Sequence, residues 1–317
     1  MSDDRRPGVA GATIVVTGAS SGIGRGAAVR LAGLGANVVV AARRGEVLDE
    51  LVEQITAAGG NAVSVVTDVS EPEQVSLLAD TAALRFGSID VWINNVGIGA
   101  LGVFWEVPVA DHARVLEVNL TGLVYGAHAA LRRFVAQGHG VLVNVGSVES
   151  EVPLALQASY AASKAGVLSL GRTLEEELRL VGLSDGIAVS TVMPWAVDTP
   201  WWDHAANYTD HAPRMAAMDD TSVVVDAIVA ACTSPSGHRT VGTKARVSEL
   251  SHRLLPDITE RLSAKLSAAE VRRGHRVPHT TGAIYAPVPE GTTVDGATRE
   301  RMRAEDARST GSGGDAG

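Results

Sequence analysis

Tyr160 and Lys164 stand four residues apart in the run Tyr160-Ala161-Ala162-Ser163-Lys164. On a helix that spacing places both side chains on one face. A phenol beside an ammonium is a weak acid made useful, because the positive charge favours the phenolate and draws its pKa toward the working pH. The same spacing also arises on ordinary solvated helix faces. The chemistry therefore depends on what the rest of the chain brings to this pair.

The first partner is a glycine-rich turn. Residues 12–16 (Ala-Thr-Ile-Val-Val) read as a buried strand, and Thr17-Gly18-Ala19-Ser20-Ser21-Gly22-Ile23-Gly24 follows at once. An apolar-spaced helix runs to Leu34, and residues 37–42 form a second strand. This is one strand–helix–strand unit. In it Gly18 permits a tight turn, Gly22 lets the backbone approach a pyrophosphate, and Gly24 lets the helix pack close to the sheet. The phosphates would sit at the positive helix N-terminus.

The end of the second strand selects the nucleotide. An acidic residue there would bind the ribose 2′-hydroxyl of NAD. The chain instead has Ala41-Ala42-Arg43-Arg44, with no carboxylate before Glu46. An arginine at that place pairs bidentately with a 2′-phosphate, which favours NADP(H) over NAD(H).

The pattern continues along the chain. A helix over about 45–58 precedes a third strand at 62–67, closed by Asp68-Val69. Asp68 either accepts from an adenine amino group or caps the next segment. Pro72 opens a helix to about Phe86, and residues 89–93 form a fourth strand ending in Asn94-Asn95-Val96-Gly97. Residues 98–107 read as a loop. One helix is predicted over about 108–137, carrying Asn119 within Val118-Asn119-Leu120. Asparagine is a poor helix former, so Asn119 is either a satisfied buried polar group or a functional one. A fifth strand at 141–145 leads to Ser147, just past the strand's C-terminal end, where open α/β sheets bind ligands. The helix of Tyr160 and Lys164 runs to about Val181. A sixth strand at 187–192 ends in Met193-Pro194-Trp195, before Val197-Asp198-Thr199. Strands alternating with helices predict an α/β fold with a doubly wound parallel sheet.

These residues, taken together and in this order, resemble the short-chain dehydrogenases/reductases, in the branch with the Thr-Gly-x-x-x-Gly-x-Gly and Tyr-x-x-x-Lys motifs. The resemblance covers about residues 10–245 and implies a single Rossmann-type domain of about seven strands. It implies that Tyr160 is the general acid/base and that Ser147 hydrogen-bonds the substrate oxygen. Lys164 would bind the nicotinamide ribose, and Asn119 would hold a water linking Lys164 to solvent. Thr199, with the backbone near Val197, would fix the nicotinamide carboxamide. Gly18, Ser20, Ser21, Gly22, Ile23, Gly24, Arg43, Arg44, Asp68, Val69, Asn95, Val96, Gly97, Tyr160, Lys164, Pro194, Trp195, Val197 and Thr199 make up the implied cofactor site. Two positions depart from the family pattern: Val96 stands where alanine is usual, and Trp195 where glycine usually follows proline.

The implied reaction is hydride transfer between NADP(H) and a carbonyl or alcohol substrate. The rival of another class is a catalytically inactive cofactor-binding regulatory or structural protein of the same fold. The full set Asn119, Ser147, Tyr160 and Lys164 argues against it, since a protein without turnover needs no such set. An epimerase or dehydratase on a related scaffold would use a different glycine spacing and a real second domain.

A substrate lid is expected over about 195–218. Trp195, Trp201 and Trp202 cluster there, three of the chain's five tryptophans. Clustered aromatics suit an apolar or planar substrate, or form the lid's own packing core or an interface. His204, Tyr208 and His211 read either as substrate contacts or as a hydrogen-bonded loop. A helix over 219–233 and a seventh strand over 238–243 complete the sheet.

The chain then continues as an extension over 246–317. Residues 247–273 carry a basic amphipathic pattern broken at Pro256. It suits packing on the protein's own domain or a partner subunit better than a membrane surface. From Gly274 onward Pro, Gly, Thr and Ser dominate, and 304–317 read as disordered, as do residues 1–9 as a flexible N-terminus.

Composition sets the outer limits. A net charge of −9 argues against nucleic-acid binding. The one cysteine, Cys232, precludes an intrachain disulfide and fits a reducing, cytoplasmic setting. No apolar run approaches the ~20 residues of a membrane span, and no residue spacing suggests a metal site. The resemblance implies a homo-oligomer, a dimer or tetramer, built through the helices of Asn119 and Tyr160.

Overall fold

The structure, a computed structural model, describes residues 8–311. The expected flexible N-terminus over residues 1–9 lies outside the described residues up to residue 7, as does the last part of the expected disordered tail, 312–317.

Short β-branched runs make the strands and alternate with helices in chain order. The first half holds β1 (Thr13–Thr17), α1 (Gly22–Gly33), β2 (Asn37–Ala42), α2 (Gly45–Ala57), β3 (Asn61–Val66), α3 (Pro72–Phe86), β4 (Val91–Asn94) and a two-residue β5 (Ala100–Leu101). Next come α4 (Val109–Leu116), α5 (Gly122–Gln137), β6 (Gly140–Val145), α6 (Ala158–Leu180), β7 (Ile187–Pro194), α7 (Trp201–His204) and β8 (Ala206–Asn207). The chain closes with α8 (Thr221–Thr233), β9 (His238–Val241), α9 (Thr243–Leu254), α10 (Pro256–Arg273) and α11 (Thr298–Gly311).

Seven strands form one parallel sheet in the order β3-β2-β1-β4-β6-β7-β9. The order reverses beside β1, so β1 and β4 splay their connections to opposite faces and leave a crevice at their C-terminal ends. Parallel strands covered on both faces should be apolar throughout. Ile14, Val15, Val16, Val38, Val39 and Val40 are all fully buried, on two core layers either side of the sheet.

Glycines fix how closely the helices sit. A Cβ at Gly126 of α5 would strike Asn94 on β4, and one at Gly24 of α1 would strike the Gly18 carbonyl. Both helices can reach these positions only without a side chain.

Three expectations need correction. The predicted helix over 108–137 is α4 and α5 joined by a π-helical turn over Glu117–Thr121, which contains Asn119. One extra residue per turn is accommodated there, and such bulges recur at functional sites. Second, the loop after β4 is not irregular throughout: β5 pairs in parallel with β8, tying it to the lid. Third, 304–311 belong to helix α11 rather than to a disordered tail. Its polar sequence is held by charge: Arg214 of the lid, its side chain fully buried, pairs with Glu305 and lies 2.8 Å from Asp306.

The extension breaks at Pro256 as its sequence suggests, and α10 packs on α9. Leu250, Leu254, Ile258, Leu262 and Leu266 remain exposed along it. Among the described residues no helix is long and apolar enough to cross a membrane.

Candidate active site

Tyr160 and Lys164 project from the first turns of α6. Ser147 arrives from just beyond β6, where it caps a short 3-10 turn, its Oγ accepting from Glu149 N at 3.1 Å. Ser147 and Tyr160 line the same end of one cleft. Two separate elements thus bring a hydroxyl and a phenol to one point.

Lys164 is 98% buried, at 2% exposure, and its Nζ donates to the Val145 carbonyl at 2.8 Å. Nζ lies 5.6 Å from the centre of the Tyr160 ring. Burial lowers the Lys164 pKa to about 8, against a smaller opposing pull from Glu149. Burial also lifts the Tyr160 phenol well above its ordinary value, with the nearby Glu149 carboxylate adding to the rise and Ser147 opposing it. The sequence expectation that Lys164 draws the Tyr160 phenol down is not what this packing gives. The ammonium faces a backbone carbonyl and the ring, and desolvation dominates.

Asn119 is fully buried in the π turn. Its Oδ1 accepts from Ile98 N at 2.8 Å, and its Nδ2 donates to the Ile98 carbonyl at 2.9 Å and to Ser163 Oγ at 3.1 Å. Ser163 Oγ in turn donates to the Tyr160 carbonyl. These bonds brace the loop after β4 against α6.

The sequence missed Glu149. It is 6% exposed, its Oε2 has no hydrogen-bond partner among the described residues, and it lines the cleft beside Lys164. Burial raises its pKa well above the usual carboxylate range. Only its place two residues after Ser147 could have flagged it.

The lid tryptophans divide their roles. Trp202 is lid core: it is buried and donates to the Val197 carbonyl at 2.9 Å. Trp201 faces the site, its ring 5.2 Å from that of Tyr160 at a 58° tilt. Trp195 packs against Val148, Val152 and Ala245 and lines the cleft. Tyr208 donates to Asp111, and His211 Nδ1 meets the Thr209 carbonyl at 2.9 Å, so both belong to a hydrogen-bonded loop. His204 lies against the Glu290 carbonyl at 3.0 Å.

From this corner the cleft runs across the C-terminal ends of the strands to Arg43 and Arg44. It is lined by Gly18, Ser20, Ser21, Gly22, Ile23, Arg43, Arg44, Asp68, Val69, Asn95, Val96, Gly97, Pro194, Val197 and Thr199 as well as Ser147, Tyr160 and Lys164. Gly18 has φ +69°, and a Cβ there would come within 3.2 Å of Val96 Cγ2. Gly22 has φ +57°. Left-handed glycines opening a helix give the positively poised cradle that a pyrophosphate needs, although Gly22 N already donates to the Thr293 carbonyl at 2.8 Å. The residues therefore fit a dinucleotide. Asp68 accepts from Ser70 N at 3.0 Å and pairs with Arg114 at 3.0 Å, while the N-cap of α3 is Glu71. Among the described residues no cluster of His, Cys, Asp or Glu could hold a metal ion.

A family model described as short chain dehydrogenase matches residues 12–208. The chain is a short-chain dehydrogenase/reductase. A protein from Eggerthella lenta, named 3beta-hydroxysteroid dehydrogenase 1, is 39% identical over 218 residues, which cover 68% of this chain and 80% of the relative. A short-chain dehydrogenase/reductase from Burkholderia phymatum, solved in complex with NAD, superposes with a TM-score of 0.68 at 28% identity, covering 78% of this chain and 95% of that one. A metagenomic short-chain oxidoreductase in complex with NADP superposes with a TM-score of 0.62 at 30% identity, over 73% and 97% of the two chains. This short-chain dehydrogenase/reductase is thus an oxidoreductase with a nucleotide-binding Rossmann fold.

Proposed function

We propose that the chain is an NADP(H)-dependent oxidoreductase that interconverts a ring-bound secondary alcohol and its ketone. The observation that carries this reading is the convergence of Ser147, Tyr160 and Lys164 at one end of a cleft whose other end presents Arg43.

In the reduction direction Tyr160 Oη gives its proton to the carbonyl oxygen, and in oxidation it takes the proton from the hydroxyl. A phenol held protonated by burial is poised as the donor. Ser147 Oγ holds the same oxygen as its charge develops. The bound dinucleotide supplies or accepts the hydride. With the dinucleotide bound, Lys164 would hold the nicotinamide ribose and Thr199 with the backbone at Val197 would hold the carboxamide, while Asn119 keeps α6 in register with the β4 loop. Val96, Pro194 and Trp195 bound the nicotinamide pocket.

Two arguments favour NADP(H). The β2 end carries no carboxylate, and Arg43 and Arg44 are both half-buried against the cleft rather than free in solvent. The ring-bound substrate follows from the apolar lining of the cleft near Tyr160, where Trp201, Leu154, Met215 and Trp195 cluster. The steroid-named relative supports the same class. A homo-oligomer, through α5 and α6, and a cytoplasmic setting complete the reading.

The experiment is a turnover screen following NADPH absorbance with cyclohexanones, 3-ketosteroids, linear aldehydes and aldose sugars. The alicyclic ketones should be reduced fastest, and NADPH preferred to NADH. Preference for sugars or linear aldehydes would reject the substrate class, and preference for NADH would reject the nucleotide assignment.

A further inference from the structure

The segment between α10 and α11 returns across the cleft. The carbonyls of Ala283 and Tyr285 accept from Arg43 at 2.7 and 3.1 Å. Those of Val288 and Glu290 accept from Arg44 at 3.1 and 3.0 Å. The Thr293 carbonyl then accepts from Gly22 N, in the first turn of α1, at 2.8 Å. Both ends of this crossing are anchored. At one end Ile284 is fully buried, and the Tyr285 hydroxyl donates to Asp111 at 2.7 Å. At the other, Asp198 accepts from Thr298 N at 3.0 Å and from Arg299 Nε at 2.9 Å.

The crossing roofs the channel rather than filling it. Ala283, Pro287 and Val288 line the same cleft as Gly18, Ser20 and Asp68, with open space between them. Left-handed glycines, Gly282 at φ +51° and Gly291 at φ +68°, bracket the span that covers the arginines. Both are close approaches: a Cβ at Gly282 would strike the His204 carbonyl and one at Gly291 the His204 ring, so the span is seated on the lid at both ends.

The two arginines are not equivalent. An arginine has five N–H groups. Arg44 spends all of them: Nε and Nη2 on Ser20 Oγ at 3.3 and 3.0 Å, Nη2 again on the Ser20 carbonyl at 3.4 Å, and Nη1 on Val288 and Glu290. Arg43 spends two on the strap, leaving three for a ligand among the described residues.

We propose that residues 283–296 are a strap that retains the nucleotide, with Arg44 as its anchor and Arg43 as the reader of the 2′-phosphate. This rests on the channel being the nucleotide site. A nucleotide beneath the strap leaves only when Arg44 releases Val288 and Glu290 and Arg43 releases Ala283 and Tyr285. Strap opening then sets the release rate for NADPH and NADH alike, whereas discrimination between them belongs to Arg43.

Stopped-flow displacement of bound NADPH and NADH from the full chain tests this. In Arg44→Ala, release of both nucleotides should accelerate at least tenfold, with the NADPH preference kept. In Arg43→Ala, NADPH affinity should fall at least tenfold more than NADH affinity. A strap that can be locked guards against a folding defect. A Cβ built at Gly26 lies 3.1 Å from Val294 Cγ1, so sulfurs at these places are within bridging reach. Oxidised Gly26→Cys/Val294→Cys protein loaded with NADPH should release it at least tenfold more slowly, and reduction should restore the rate. Unchanged release in both Arg44→Ala and the oxidised pair would overturn the strap. Loss of NADPH preference in Arg44→Ala would overturn the division between the arginines. Failure of the unaltered protein to bind either nucleotide would overturn the channel reading itself, and the strap with it.

Discussion

Lys164 Nζ sits 2.8 Å from the Val145 carbonyl and 5.6 Å from the centre of the Tyr160 ring. The lysine is thus held by the last residue of β6, the strand whose next turn delivers Ser147. Sheet, helix and the turn of Ser147 meet at one buried ammonium.

That burial has a thermodynamic signature. Lys164 has a folded pKa of about 8 against 10.5 for an ordinary lysine. Below pH 8 both states are charged, and the folded state bears the desolvation cost. Between pH 8 and 10.5 the unfolded chain binds more protons, so this site's contribution to stability rises with pH. The displacement corresponds to about 3 kcal/mol at most. Lys164→Met should therefore be more stable than the unaltered protein at pH 7, with the advantage shrinking toward pH 10. Urea unfolding of both proteins at the two pH values checks this, and turnover should be lost throughout.

Gly24 is constrained by sterics alone. A Cβ there runs into the Gly18 carbonyl and the Asn95 amide, neither of which can retreat without moving the turn. Gly24→Ala should lower stability by about 1–3 kcal/mol, the usual cost of overpacking. It should weaken nucleotide binding at least tenfold, because Gly18 and α1 part. Thermal unfolding and nucleotide titration read the two effects separately.

Gly99 tests the lid. Its missing side chain makes room for the Trp201 ring, which a Cβ would overlap. Gly99→Ala should push Trp201 off Tyr160 and lower kcat/KM for a bulky cyclic ketone about tenfold. NADPH affinity should stay within twofold. Steady-state kinetics with cyclohexanone and a 3-ketosteroid would show the larger loss for the larger substrate.

The sheet was legible because its strands are uninterrupted β-branched runs such as Ile14-Val15-Val16 and Val38-Val39-Val40, punctuated by glycine. The site residues were legible for a different reason: Gly18, Ser147, Tyr160 and Lys164 each stand at a strand end or helix start that the pattern locates. The segment 274–311 was not legible. The strap binds through the carbonyls of Ala283, Val288 and Thr293, and carbonyls carry no sequence signal. Helix α11 lacks an apolar stripe and is docked by Arg214, Arg299 and Arg301, so its composition reads as solvated chain. Glu149 was hidden likewise, since an acid becomes unusual only when buried.

Tyr160→Phe removes one oxygen and keeps the ring that Trp201 and Lys164 face. Its kcat for reduction of a cyclic ketone, followed by NADPH absorbance beside an NADPH titration, is the most direct measure of the proposed proton transfer. The expected result is a loss of about 10³-fold or more in kcat with nucleotide affinity within twofold. Turnover within tenfold of the unaltered protein would contradict the assignment of Tyr160 as the acid/base.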